Sequence, residues 1–376
     1  MTCRVEVSEM LKKASKKKSL KIIPLKVINL NVHFELATPD HVENVIIQHN
    51  KMSRIYFKLT LPIDVAVFAS PADPWGKIQD QFVDAVTAQL TAMDKCIQRY
   101  TNGKTVPMPQ PFHFELPEKT TLTTVIYPAG VSDDILETQR KELHAELGLE
   151  NKPFFRRPMA FCFPYDEMKM KYLRNVHKYL PSPDPNEFKI SVVHGSYFYY
   201  HCLQDNENDA DWGASYRCLQ VIISWFNCQG YFHNPVPTVA EIHDVLTKVD
   251  EGFVNLVEGK DWIPLEQLVA ILNVFSISAI TKDIRQDVDE PIDLSLHFKE
   301  QGTPVVLSAE LFACVLLGMA VNEEMNIKKI LVLDTMYTGS DDLATVIEKA
   351  VDWKDEEFLS GLEVYGLSLP QRPEGV

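Results

Sequence analysis

Two hydrophobic periods alternate along this chain and sort it into elements before any residue chemistry is considered. From Leu20 to Leu36 and from Ile55 to Phe68, β-branched residues alternate or cluster, which predicts strands. Lys77 to Tyr100 changes period: Ile78, Phe82, Ala85, Val86, Leu90 and Met93 fall on one stripe at helical spacing. Ser132 to Leu147 reads as a second helix, with Ser132 as its cap ahead of Asp133, Asp134 and Ile135. The pattern then breaks at Leu180-Pro181-Ser182-Pro183-Asp184-Pro185-Asn186. Prolines packed this closely continue neither a helix nor a central strand, and they stiffen an extended linker.

Beyond that break the periods resume. Lys189 to Val193 predicts a short strand, and a polar loop from Asp205 to Asp211 leads into an apolar helix from about Gly213 to Asn227. Helices follow at Pro264 to Val274 and Leu294 to Glu300, around a strand at Ser276 to Ile280. Three strands come next, at Pro304 to Ser308, Phe312 to Val321 and Lys328 to Asp334. A helix from Asp341 to Val351 and a strand from Leu362 to Leu369 close the chain. A length of 376 residues exceeds what one core serves. The expected division is an N-terminal α/β domain over residues 1–180, a linker over 181–187, and a second domain over 188–376. One buried helix followed by an antiparallel-leaning sheet is an α+β arrangement with the layout of papain-like cysteine proteases.

Charge changes the picture of the second domain. Residues 186–376 hold 12 Lys+Arg against 31 Asp+Glu, a formal charge of −19, which leaves +4 for residues 1–185. Such acidity argues against nucleic acid and favours a basic protein partner. The run Lys12-Lys13-Ala14-Ser15-Lys16-Lys17-Lys18 reads as a solvated arm, with a membrane-surface or adaptor contact as the other reading. The first residues have no signal-peptide pattern, and the longest apolar run, Leu311 to Val321, is about half of what a bilayer needs. Seven scattered cysteines form neither a disulfide framework nor a metal-binding spacing, which fits a reducing, cytoplasmic setting. No glycine-rich phosphate loop appears, so no cofactor is expected.

Two boxes in the acidic domain carry the chemistry. Trp212-Gly213-Ala214-Ser215-Tyr216-Arg217-Cys218-Leu219-Gln220 opens the apolar helix, and Leu333-Asp334-Thr335-Met336-Tyr337-Thr338-Gly339 closes a strand. They resemble the ubiquitin-fold-modifier-specific cysteine proteases, which carry Trp-Gly-Cys-Ala/Gly-Tyr-Arg-x-Leu-Gln and Asp-Pro-His-Tyr-Thr-Gly. The resemblance covers nearly all of residues 106–376. It includes Gly302-Thr303-Pro304-Val305-Val306 and Leu367-Ser368-Leu369-Pro370-Gln371-Arg372-Pro373. Pro109-Gln110-Pro111-Phe112-His113-Phe114 and Tyr127-Pro128-Ala129-Gly130 resemble the longer, type 2 form, which has an additional N-terminal domain.

By that resemblance the cysteine nucleophile falls on Ala214 and the histidine base on Met336, while Asp334 is retained. A thiol protease sets its cysteine at a helix N-terminus because the dipole and unpaired N–H groups there favour thiolate. Asp and His two apart on an extended segment share a face, and the carboxylate orients the imidazole. The family's third element, a tyrosine in a His-Tyr-Met-Gln-Asp box that holds the oxyanion, falls on Cys202 within Tyr200-His201-Cys202-Leu203-Gln204-Asp205. Left alone, Asp334 reads as a solvated carboxylate at a strand end. Trp212, Tyr216 and Tyr337 are the expected binding positions.

Displaced replacements are few. Ser215 points about 100° around the helix from Ala214. Cys218 lies one turn deeper and reads as a buried structural thiol. Downstream of the helix, His233, His243 and His297 all lie off the segment carrying Asp334, and Cys314 sits on a core strand. The resemblance therefore implies the family scaffold without its chemistry: an inactive homologue that binds the basic modifier, its conjugates or an endoplasmic reticulum membrane adaptor. The other reading is an active thiol hydrolase that processes and deconjugates the modifier with a non-standard nucleophile.

Overall fold

The computed structural model describes residues 60–375, apart from 104, 117–118, 151, 164–165, 167–168, 250–261, 286–293, 311 and 325–326. The strand expected over Leu20 to Leu36 and the lysine run lie outside these residues.

Packing divides the chain into two compact units, one up to Leu136 and one from Glu137 onward. In the first, helix α1 (Trp75–Tyr100) packs near a two-stranded antiparallel ribbon, β1 (Pro109–Phe114) and β2 (Thr123–Pro128). Met93 and Cys96 of α1 meet Ile126 of β2 in a small buried cluster that Leu61 borders. The stripe read from the sequence holds at Ile78, Phe82, Ala85, Val86 and Met93, which are buried or half-buried, and departs at one position, where Gln89 is buried and Leu90 exposed. Gln89 is there for a reason, since its amide accepts from Asp64 N–H at 3.0 Å and donates to Asp64 C=O. That pair anchors Asp64 within Thr60–Phe68, which forms no strand, contrary to the expectation there; the first part of that expectation, Ile55–Leu59, lies outside the described residues.

The second unit begins with α2 (Glu137–Leu147), and residues 137–180 build with it. Arg156 donates through Nε and Nη2 to the carbonyls of Gln229 and Gly230, at 2.9 and 3.0 Å, with its guanidinium over the Tyr231 ring. Arg174 bridges Phe198, and Asn175 takes the amide of Tyr197 on its side chain. The proline-rich stretch is thus a connection inside this unit. It ends in a turn where the Asp184 carbonyl accepts from Glu187 and Phe188 N–H.

The rest keeps the predicted order with one helix, α4, added to it: β3 (Lys189–Val192), α3 (Ala214–Cys228), α4 (Val239–Val249), α5 (Leu265–Val274), β4 (Ala279–Arg285), α6 (Ser295–Glu300), β5 (Val305–Ala309), β6 (Phe312–Asn322) and β7 (Ile327–Leu333). Then come α7 (Leu343–Lys349), β8 (Val351–Asp355), α8 (Glu357–Ser360) and β9 (Val364–Pro370). The strands form one antiparallel seven-stranded sheet in the order β4-β9-β5-β6-β7-β8, with β3 beside β6. Nearly every residue of α3 is buried, and Tyr216, Leu219, Val221, Ile222, Ile223, Trp225 and Phe226 share a core with Val306, Val315, Leu317, Leu331 and Leu333 of the sheet. A helix buried on all faces belongs at the centre of such a core, where its few polar side chains, Ser215, Arg217, Gln220 and Ser224, are hydrogen-bonded. Among the described residues no helix is long and apolar enough to cross a membrane.

Candidate functional site

Three segments converge at the N-terminus of α3. Ala214, the first helical residue, is 2% exposed. Its carbonyl oxygen lies 3.3 Å from Thr335 Oγ1, in the loop after β7, and Thr335 C=O accepts from Cys202 N–H at 3.0 Å. The positions that the resemblance assigns to nucleophile, base and oxyanion donor therefore meet around a single buried threonine.

A buried ion pair fixes the entry to α3. Asp209 and Arg217 are both fully buried, and Arg217 Nε donates to Asp209 Oδ2 at 2.7 Å. The remaining guanidinium donors go to Gln220 Oε1 and to Gln204 C=O, at 3.1 and 3.0 Å. The other oxygen of Asp209 accepts from Leu203 N–H at 2.6 Å, and its backbone C=O accepts from Gly213 N–H at 2.7 Å. A Cβ at position 213 would fall 2.3 Å from the Asp209 carboxylate, so glycine is required there. These contacts hold Leu203, Asp205 and Asn206 in the left-handed region, with φ of 65°, 60° and 61°. Non-glycine residues persist there only where the surroundings over-determine them.

Asp334 differs from the sequence reading. It is half-buried rather than solvated, and burial pushes its carboxyl above the usual range against the opposing N–H groups of Met336 and Tyr337. Nor does the extended geometry continue to Met336. Strand β7 ends at Leu333, and Asp334 Oδ1 accepts from Met336 N–H at 2.8 Å, which folds the carboxylate onto its own backbone. Met336 packs its thioether on the core around α3.

The displaced candidates are committed elsewhere. Ser215 is buried and accepts from Ile263 N–H at 3.1 Å. Cys218 is buried with its Sγ 3.2 Å from Thr335 Oγ1, and burial pushes its thiol up to about 12. Burial likewise takes Cys202 up to about 12 and Cys314 well above the ordinary thiol range. His297 bonds Thr303 and is pushed down to about 4 by burial, and His243 bonds the Tyr216 hydroxyl at 3.1 Å.

Of the expected binding residues, Tyr216 is fully buried and carries Trp212 edge-on at 5.1 Å between ring centroids. Trp212 and Tyr337 are half-buried. One residue escaped the sequence reading. The histidines named from the sequence lie downstream of α3, whereas His201, upstream of it, has its ring 5.0 Å from that of Tyr337. Its place beside Cys202 in the Tyr200–Asp205 box was the available signal.

A core helix entering an antiparallel sheet with its N-terminus against the loop after β7 defines the class: a papain-like peptidase domain, here preceded by a separate N-terminal domain. Residues 188–368 match the model of peptidase family C78, and residues 2–168 match the N-terminal model of ubiquitin-fold modifier 1 specific protease 2. The chain is 38% identical over 374 residues to Ufm1-specific protease 2 of Gallus gallus, covering 98% of this chain and 81% of that protein. It is 36% identical over 371 residues to that of Homo sapiens, covering 96% and 79%. A crystal structure of UfSP from C. elegans superposes with a TM-score of 0.66 at 26% identity, over 81% of this chain and 58% of that one. The chain belongs to the Ufm1-specific protease 2 family and has its long form.

Proposed function

We propose that this chain is a non-catalytic member of the family: a binding protein for the ubiquitin-fold modifier or its conjugates. The observation that carries this reading is Ala214, whose methyl group occupies the first turn of α3 where a thiolate would be generated. A methyl group cannot attack a carbonyl, a thioether at 336 cannot accept a proton, and Cys218, one helical turn further on, is buried and bonded to Thr335. Binding is a separate matter from reaction, because most of the contact area for a protein substrate lies away from the reacting atoms. Trp212 and Tyr337 are the proposed contact residues, and the −19 formal charge of residues 186–376 is complementary to a basic modifier. We further propose a cytoplasmic location, at the endoplasmic reticulum surface through an adaptor held by the N-terminal unit.

The test is incubation of the purified chain with modifier bearing a C-terminal electrophilic warhead. No covalent adduct is expected. An adduct abolished by Cys218→Ala or Ser215→Ala would establish the other reading, a hydrolase with a displaced nucleophile.

A further inference from the structure

Leu203 combines two features that work against the fold. Its backbone lies in the left-handed region at φ 65° and ψ 1°, and its side chain is 41% exposed. Asp205 and Asn206 share the positive φ, but their short polar side chains lessen its cost, and a leucine side chain does not. An exposed leucine also forgoes much of the gain from burial. What holds it is the buried Asp209–Arg217 pair. Leu203 N–H donates to Asp209 Oδ1 at 2.6 Å, and Trp212 N–H donates to the backbone carbonyl of the same Asp209 at 3.3 Å. One buried residue thus fixes the backbone of an exposed leucine and of a half-buried tryptophan. Strain that the surroundings enforce gathers at positions that contact ligands. The chain here is also acidic, since residues 203–211 hold Asp205, Glu207, Asp209 and Asp211 and no Lys or Arg. Lys171 pairs with Asp205 and Arg217 with Asp209, while Asp211 lies exposed next to Trp212 and Glu207 is half-buried.

We propose that Leu203 is a further contact residue that sets specificity, taking a bulky aliphatic side chain from a basic segment of the modifier. This rests on the reading of the chain as a binding protein and names what that protein recognises. The occupant follows from two chemistries on one loop. Leu203 offers apolar surface, and Asp211 and Glu207 offer negative charge on a unit that is already acidic. The leucine is held in place before the partner arrives, so binding spends little on ordering it.

Glycine and asparagine both accept a positive φ, so Leu203→Gly and Leu203→Asn separate the contact from the fold. On the full chain, each variant should have a thermal midpoint equal to or above that of the wild type. Calorimetry at low salt should show affinity for the modifier lowered about tenfold, the effect of losing one partly exposed leucine from an apolar contact. A lower midpoint in both variants would show that the leucine serves the fold and would overturn the proposal. Unchanged affinity would also overturn it and leave the binding reading intact. A second titration uses two lysine-rich peptides that differ only in a central leucine or asparagine. The wild type should prefer the leucine peptide, and Leu203→Gly should abolish the preference. If the wild type binds that peptide through Leu203 but does not bind the modifier, the proposed function fails and the contact stands. If it binds no modifier and does not distinguish the peptides, both fail.

Discussion

Thr335 Oγ1 lies 3.2 Å from Cys218 Sγ and 3.3 Å from the carbonyl oxygen of Ala214, so one side chain joins the loop after β7 to the first turn of α3. A third neighbour, Ala313 O on β6, is 3.2 Å away. The hydroxyl has one proton, so it donates to a carbonyl and accepts from the thiol. The resemblance places a proline here, which has no hydroxyl to offer.

Thr335→Val keeps the shape and removes the tie. It leaves a buried thiol and a carbonyl short of a partner, and the expected loss is about 1–3 kcal/mol of stability in the second unit. Thr335→Ser should lose much less. Urea unfolding followed by Trp fluorescence compares the two, and equal midpoints for Val and the wild type would show that the hydroxyl contributes nothing.

Asp209 and Arg217 make a larger contribution, because neither touches water. Removing one partner strands the other charge in the core, at a cost of about 3–5 kcal/mol. Asp209→Ala should also free Leu203, Asp205 and Asn206 from the left-handed region. The expected result is a fall in thermal midpoint that exceeds that of any surface ion-pair variant, for example Lys189→Ala at the exposed Lys189–Glu323 pair. A shift no larger than Lys189→Ala gives would contradict the pair's place in the site.

Asp334 predicts a pH dependence of the opposite sign to that of a paired carboxylate. Burial is the largest cause of its raised pKa. An acid that is weaker in the folded state binds more protons folded than unfolded, so its contribution is most favourable below the unfolded value, about 3.9. Stability then falls as pH rises from there through the raised folded value. At neutral pH the charged form weakens the fold. Asp334→Asn keeps an acceptor for Met336 N–H and removes the charge. Its thermal midpoint should exceed the wild type's at neutral pH, and the gain should vanish in acid. A lower midpoint at neutral pH would mean that the carboxylate is better paired than its surroundings indicate.

How much of this was legible in the sequence depends on which physical signal each element carries. The helix at Ala214 and strands β5, β6 and β7 were read within one or two residues, since burial on all sides leaves long apolar runs. Strand β8 was left unread beyond Val351, where the predicted helix ended, because Val351-Asp352-Trp353-Lys354-Asp355 is short, lies at the sheet edge and alternates with charge. Strand β4 began three residues late: Ser276, at φ 59°, closes α5 in the left-handed region before the chain can extend. The ribbon strand β1 was hidden by Pro109 and Pro111, which a two-stranded sheet tolerates because each strand is an edge. At the site, residue types fixed which atoms are lacking. Spacing alone did not reveal that Asp334 turns back on the backbone two residues on, a matter of local geometry, or that the His201 ring meets Tyr337 O, a contact between segments more than 100 residues apart.

Association with a basic modifier should be fast at low salt and slow markedly between about 50 and 200 mM, as screening shortens the reach of the acidic unit. Stopped-flow mixing measures this directly. A rate independent of salt would remove charge complementarity from the binding argument, whatever the affinity.

Restoring hydrolysis is the most demanding prediction. Ala214→Cys returns a thiol to the helix start, where the dipole favours thiolate, but Met336 offers it no base, and both nitrogens of His201 already meet acceptors. Met336→His supplies a base with nothing to activate. Nucleophile and base act as a unit, so each single change should give almost nothing and only Ala214→Cys/Met336→His should cleave modifier precursor. Even that variant lacks the oxyanion hydroxyl, because Cys202 is buried with its N–H given to Thr335. One missing oxyanion donor costs about 10²–10³ in turnover, so adding Cys202→Tyr should raise the rate by a similar factor. Precursor cleavage followed on gels over hours ranks the four proteins. Substantial activity from Ala214→Cys alone would show that another base lies in reach and that Met336 is not the vacated position.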